Sequence, residues 1–176
     1  FMPMAYGGAI KNFEDAKRVF DCGFEKVVLN SILFSDIALI QKIASVYGSQ
    51  SVVGSIDTKK NILGKYRAYA LSANLNTGKE PVEWAALLEK SGVGEIMINA
   101  IDRDGTWLGY DEELISKVAS AVSIPVVACG GAGSFNDFEK AVHAGASAVA
   151  AGSLFVFQKK GMGVLISFPN NKLKIF

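Results

Sequence analysis

The residues able to do chemistry in this chain gather where apolar runs give out. Asp57 directly follows Val52-Val53-Gly54-Ser55-Ile56, Asn30-Ser31 follows Val27-Val28-Leu29, and Gly152-Ser153 follows Ala148-Val149-Ala150-Ala151. Gly7-Gly8-Ala9 and Gly130-Gly131 close two more such runs, and Asp102-Arg103-Asp104-Gly105-Thr106 comes just after a third. A carboxylate in Asp57's position can accept or deliver a proton, with its pKa raised by partial burial. Glycine turns followed by a hydroxyl suit an anion such as phosphate, held by backbone N–H groups. Each feature also has a plainer reading. Asp57 could cap a helix or pair with Lys59, Gly-Gly could be only a tight turn, and Asp102 and Asp104 are common loop residues. Of the pair, Asp104 with Gly105 is the better candidate for holding a ligand.

Duplication weighs against the plain reading. Pro3 and Pro125, Phe13 and Phe135, Asp15 and Asp137, Gly23 and Gly145, and Ser31 and Ser153 each lie 122 residues apart. The two Gly-Gly-Ala triplets lie 123 apart. A repeat of such long period sets the architecture.

The elements that must position these residues follow from periodicity. Apolar runs predict strands at Met2–Tyr6, Lys26–Leu29, Ser51–Ile56 and Glu95–Ala100, a fifth from Pro125, and a sixth at Ala146–Ala151, most of them buried. Helical patterns predict α-helices at Phe13–Asp21 capped by Asn12, from Asp36 to Gly48, at Pro81–Ser91, at Asp111–Ala121, and from Ser134 to Ala144. Trp84, Leu87 and Leu88 should face inward. Leu154–Lys160 reads as one or two helical turns and Val164–Ser167 as a last apolar segment. The 58–79 segment breaks the rhythm, with an alternating stretch at Lys65–Ser72, and reads as an inserted hairpin or lid. Alternating strands and helices predict an α/β chain with a parallel sheet. A repeat displaced by four units predicts a closed ring of eight, a (β/α)8 TIM-type barrel, which usually needs about 250 residues. Six strands in 176 residues leave about two βα units to be found at the front. The opening Phe1-Met2-Pro3 lies inside a strand pattern, so further sequence is expected upstream or in another chain. The expectation is one N-terminally incomplete barrel domain over 1–176.

Composition narrows the function. A net charge of +1 without a basic run gives no case for nucleic acid. No apolar run is long enough for a membrane helix. A single histidine leaves no multi-histidine metal site, and His143 itself falls on a helix outside the ring. Two cysteines make no disulfide framework, so a reducing, cytoplasmic setting is the default. Cys129 has no base in view and is read as a packed residue. Lys26 and Glu95 begin their strands, at the rim opposite the other candidates, where an exposed ion pair is worth about 0–1 kcal/mol.

Taken together, Tyr6-Gly-Gly-Ala-Ile-Lys-Asn-Phe, Glu25-Lys-Val-Val-Leu-Asn-Ser31, Val52-Val-Gly-Ser-Ile-Asp57, Asn76-Thr-Gly78, Ile101-Asp-Arg-Asp-Gly-Thr106 and Ala128-Cys-Gly-Gly-Ala-Gly133 resemble the cyclase subunit of imidazole glycerol phosphate synthase. The resemblance implies a barrel that binds N′-[(5′-phosphoribulosyl)formimino]-5-aminoimidazole-4-carboxamide ribonucleotide, a bisphosphate. Ammonia from a glutaminase docked at the barrel floor would convert it to imidazole glycerol phosphate and aminoimidazole carboxamide ribonucleotide, without a cofactor or metal. It implies that Asp57 is one of two acid/base aspartates. Gly8, Ala9, Asn30 and Ser31 would hold one phosphate, and Asp104, Gly105, Gly130, Gly131, Gly152 and Ser153 the other. Lys26 and Glu95 would be two of four charged residues gating ammonia. The second aspartate would sit on a first strand that this chain lacks, so the chain alone should be inactive. Ala9 stands where a third glycine is usual, Ser31 where a threonine is usual, and the tail lacks the usual long last helix. The tail is more like a paralogous branch, associated with acetamidino-sugar synthesis in surface polysaccharide. A phosphate-binding scaffold without catalysis is the remaining reading.

Overall fold

The computed structural model describes residues 2–157, 163, 164 and 166. The first half runs β1 (Ala5–Gly7), α1 (Phe13–Asp21), β2 (Lys26–Leu29), α2 (Ala38–Tyr47), β3 (Val52–Lys60), β4 (Tyr66–Ala70) and β5 (Leu75–Asn76). The second runs α3 (Pro81–Ser91), β6 (Glu95–Ala100), α4 (Glu112–Ala119), β7 (Val126–Cys129), α5 (Phe135–His143), β8 (Ala148–Ala150) and α6 (Ser153–Val156). Residues 158–160 of the expected last turns, and residues 165 and 167 of the last apolar segment, lie outside the described residues.

Six strands pair in parallel in the order β1-β2-β3-β6-β7-β8, and the sheet curls as a half-barrel consistent with a (β/α)8 architecture. The 122-residue repeat is realised element by element. Helices α1 and α5 start and end 122 residues apart, and a helical turn begins at Ser31 as at Ser153. Asp15 accepts from the Lys11 N–H at 2.9 Å, as Asp137 accepts from the Gly133 N–H at 3.0 Å. In each unit that carboxylate ties the strand-end turn to the following helix.

Alternation in the strands decides which residues face helices and which face the concave side. Val27 and Leu29 of β2 and Ile96 and Ile98 of β6 are buried under the helices, against Leu39, Ile40, Ile43, Trp84 and Leu88. A second cluster, Tyr110, Ile115, Ala128, Phe138 and Ala141, does the same at the other end of the sheet. The opposite side chains line the inner face: Lys26, Val28 and Asn30; Val53, Ser55 and Asp57; Glu95, Met97 and Asn99; Val127 and Cys129.

Four expectations need correction. The strand ending in Asp57 continues to Lys60, because β4 pairs antiparallel with Asp57–Lys60. The second helix starts at Ala38 without a side-chain cap, because a 3₁₀ turn at Ser31–Phe34 comes first and Asp36 caps nothing. Strand β1 is exposed and β8 only partly buried, since each pairs on one side only among the described residues. Leu87 also points outward, at 42% exposure, while Trp84 and Leu88 are buried.

The β3–β4–β5 insertion is anchored by Tyr66. Its hydroxyl lies 2.9 Å from Asp111 Oδ1 and 3.1 Å from Glu113 Oε2, and its ring lies under the ammonium groups of Lys60 and Lys117. Asp111 is buried, caps α4 through the Leu114 N–H, and faces Arg103 at 3.7 Å. Burial and the two carboxylates push the Tyr66 hydroxyl well above the usual phenol range, so it stays a donor. Tyr66→Phe should cost about 1.5–3 kcal/mol in urea melts, the worth of a hydrogen bond to a charged partner.

Candidate functional site

The inner-face residues at the C-terminal ends of the strands form one row. Asp57 pairs in register with Asn99, Asn99 with Cys129, and Cys129 with Ala150. With about 4.8 Å between strands, this row runs roughly 14 Å across the sheet before curvature shortens it. Strand alternation fixes the face of each position, and the pairing register sets them side by side.

One cleft, of about 580 Å³, is lined by Gly7, Gly8, Ala9, Lys11, Asn30, Ser31, Ser55 and Asp57, with Leu71 and Ser72 from the insertion. It therefore brings together Asp57 and all four residues expected at the first anion site. Gly8 takes φ +114, a conformation L side chains rarely adopt, and no atom would crowd a Cβ there. Ala9 takes φ +56, so the alanine in the last glycine position carries left-handed strain. Ser31 Oγ accepts from the Leu71 N–H at 2.9 Å, which leaves its own proton to donate. Lys11 supplies a cation at the rim.

A smaller pocket at the other end of the row is lined by Asp104, Gly105, Cys129, Gly130, Gly131, Gly152 and Ser153. All six residues expected at the second anion site meet here. A Cβ on Gly105 would lie 4.0 Å from Ser153 Oγ, so the Asp104-Gly105 turn and the Ser153 hydroxyl face one another. The Asp104 N–H is already donated to the Ala100 carbonyl at 3.0 Å, so Asp104 contributes the shape of the turn rather than that donor. Arg103 does not reach the pocket through its guanidinium: Nη1 donates to the carbonyls of Gly109 and Tyr110, at 3.2 and 3.1 Å, and braces the loop.

Asp57 is half-buried, and burial pushes its carboxyl above the ordinary carboxylate range. The carboxamides of Asn99 and Asn30 oppose that shift, with Asn99 Nδ2 donating to Asp57 Oδ1 at 3.1 Å. The Lys59 partner considered from sequence is not used; its ammonium group lies over the Tyr69 ring, 5.1 Å from the centroid. Cys129 is in the row, but burial and the nearby Asp104 and Asp57 charges push its thiol up, which disfavours the thiolate. His143 is exposed and its Nδ1 is 2.8 Å from the Glu139 carbonyl oxygen.

Lys26 and Glu95 form an ion pair at 2.5 Å across β3, at the opposite end of the same inner face as Asp57. Asn99 was not singled out from sequence. Its signal was the alternation in Glu95-Ile-Met-Ile-Asn99, which puts Asn99 on the face of Glu95 at the ligand end. Leu71 left no such signal, because its role is played by a backbone N–H.

The model of the histidine biosynthesis protein family matches residues 1–160. This chain belongs to that family. Among curated members, it is 49% identical over 180 residues to a Pseudomonas aeruginosa protein provisionally named imidazole glycerol phosphate synthase subunit hisF2, covering 99% of this chain and 70% of that protein. It is 45% identical over 158 residues to imidazole glycerol phosphate synthase subunit HisF of Pyrobaculum aerophilum, covering 89% of this chain and 62% of that one. The HisF subunit of Endomicrobium trichonymphae is 40% identical over 159 residues, with 90% and 61% covered. The chain thus spans about two thirds of the length of its histidine biosynthesis relatives. No described helix is long and apolar enough to cross a membrane.

Proposed function

We propose that this chain is a cyclase of the imidazole glycerol phosphate synthase type, acting with ammonia from a glutaminase on the phosphoribulosyl-formimino bisphosphate. The observation that carries the reading is Asp57, a partly buried carboxylate standing in one row between two glycine-and-hydroxyl cradles. A substrate with a phosphate at each end would lie along that row and present its middle to Asp57. Asp57 would then move protons as ammonia adds and the imidazole ring closes. Gly8, Ala9, Asn30 and Ser31 would hold one phosphate; Gly105, Gly131, Gly152 and Ser153, shaped by Asp104 and Gly130, would hold the other. With one acid/base aspartate of two, this chain by itself would not complete the reaction. The test is turnover of the bisphosphate with ammonium salts by the complete protein; binding without turnover would favour a scaffold.

The Lys26–Glu95 pair would form part of the ammonia entrance, facing the glutaminase. Lys26→Met should then lower glutamine-dependent turnover in the complex by about tenfold, a barrier rise of ~1.4 kcal/mol. Turnover with ammonium salts should fall far less. Equal losses in both assays would remove Lys26 from the entrance.

A second reading has one observation behind it, the relatives that carry numbered names, hisF2 and hisF3. A paralogue that delivers ammonia to acetamidino-sugar synthesis would bind the glutaminase yet fail to complement a histidine auxotroph.

A further inference from the structure

Away from the Asp57 row, three cations share one groove. It has a volume of about 640 Å³, lies between the insertion and the start of α3, and is lined by Lys65, Arg67, Lys79, Glu80, Glu83 and Trp84, with Gly78 and Leu87. It has no lining residue in common with either candidate phosphate pocket. Two local rules bring the cations together. Lys65 and Arg67 alternate with the buried Tyr66 and Ala68, so both point away from the core. Lys79 is drawn alongside because its carbonyl accepts from the Ala68 N–H at 2.9 Å.

The cations are positioned without being neutralised. Arg67 Nη1 donates to the Tyr66 carbonyl at 2.7 Å, which fixes the guanidinium and leaves its other N–H groups to donate. Lys79 Nζ lies 4.8 Å from the centroid of the Trp84 ring, which also stacks on Phe34 at 4.7 Å. Among the described residues no ion pair engages Lys65, Arg67 or Lys79. Of the two carboxylates in the groove, Glu80 is already committed to capping α3. Its Oε2 accepts from the Val82 and Glu83 N–H groups at 2.9 and 3.0 Å.

Trp84 adds an independent donor. It is 3% exposed, and its Nε1–H is buried without an acceptor. A buried donor left unpaired is costly. Three cations and an indole N–H are complementary to one class of guest, an oxyanion, which brings acceptors only. A phosphate fits better than a single carboxylate, because its oxygens can meet the guanidinium fork and both ammonium groups together.

We propose that this groove binds the phosphate group of a small phosphorylated ligand, among Lys65, Arg67 and Lys79, at a site separate from the Asp57 row. Lys65 and Arg67 belong to the insertion and Lys79 to its exit into α3, so a bound phosphate would fasten one to the other. The site does not depend on the cyclase reading.

The chain has two tryptophans, Trp84 and Trp107, so indole ¹⁵N labelling gives two Nε1–H resonances, told apart by Trp107→Phe. Titration with sodium phosphate should shift the Trp84 resonance to saturation, and sodium chloride at equal ionic strength should not. Arg67→Ala should weaken half-saturation about tenfold or more, the loss of a hydrogen bond to a charged group. Arg67→Lys should restore only part of that, since it keeps the charge without the fork. Glu83→Gln should tighten binding about twofold, because it removes a repelling charge. If Arg67→Ala does not keep the parent's melting curve, Lys79→Gln replaces it, with a loss of the same sign. Ser31→Ala, in the Asp57 cleft, should leave the Trp84 response unchanged. The assignment is overturned by an equal response to chloride, by unchanged affinity in the Arg67 or Lys79 variant, or by tighter binding of sodium malonate than of phosphate. Loss of the response in Ser31→Ala would place the phosphate in the Asp57 cleft and overturn it as well.

Discussion

Asp57→Asn should abolish turnover and at the same time make the folded protein more stable at neutral pH. The two effects have one cause. Burial disfavours the charged carboxylate, so its folded-state pKa is raised above the ordinary value of 3.8. Between 3.8 and that raised value the folded state holds a proton that the unfolded state has released. Stability therefore falls as pH rises through this window, and at neutral pH the ionised side chain is a net cost. An asparagine of the same shape carries no such cost and still meets the Asn99 carboxamide.

The expected melting curves are thus higher for Asp57→Asn than for the parent at pH 7, converging as the pH falls below 3.8, where Asp57 is neutral in both states. Activity moves the other way. Removing a general acid/base group costs about 10²–10⁴-fold in rate. In the parent, turnover should be lost as pH falls through the raised pKa, because only the carboxylate can take a proton. A variant with normal turnover would remove Asp57 from the chemistry, and a variant less stable than the parent at pH 7 would show that its charge is a support rather than a strain.

How much of this was legible in the residues depends on which interactions are local. The helices α1 and α5 were readable because Asn12 and Ser134 cap them and the 122-residue repeat fixes both at once. The grouping of residues in the two pockets was readable because glycine turns and hydroxyls follow apolar runs. Three features were hidden for one shared reason, their dependence on a residue far along the chain. Strand β3 outruns Asp57 because Tyr66–Tyr69 and Ala100 pair with it, and Ser31 finds Leu71 across forty residues. Asn99 became visible only when register set it beside Asp57. The exposure of β1 and the partial burial of β8 were misread for a related reason: an apolar sequence reports a preference for burial, and burial needs a neighbour.

Gly131 was read as a phosphate-binding turn; the structure gives it a packing duty, which yields the other large expected effect. At φ +103 it adopts backbone that L side chains avoid, and an added Cβ would run into the Gly109 carbonyl oxygen and come within 3.0 Å of Arg103 Cβ. Neither neighbour can yield freely. Gly109 N–H donates to the Gly131 carbonyl at 2.8 Å, and the Gly109 carbonyl accepts from Arg103. To admit a methyl group, the 101–109 loop must retreat, which breaks the Gly109–Gly131 bond and draws Gly105 away from Ser153. Overpacking costs about 1–3 kcal/mol and left-handed strain about 1–2 more, so Gly131→Ala should lose roughly 2–4 kcal/mol in urea melts. It should also weaken inorganic phosphate binding at that end, read by ³¹P NMR, while leaving the Asn30–Ser31 end unchanged. Gly152→Ala is the control. A Cβ there meets nothing within 4 Å and the backbone φ is −103, so stability should stay within about 0.5 kcal/mol. If Gly131→Ala melts like Gly152→Ala, the loop is not braced through Gly131, and the close approach of Gly109 does not hold the second cradle in shape.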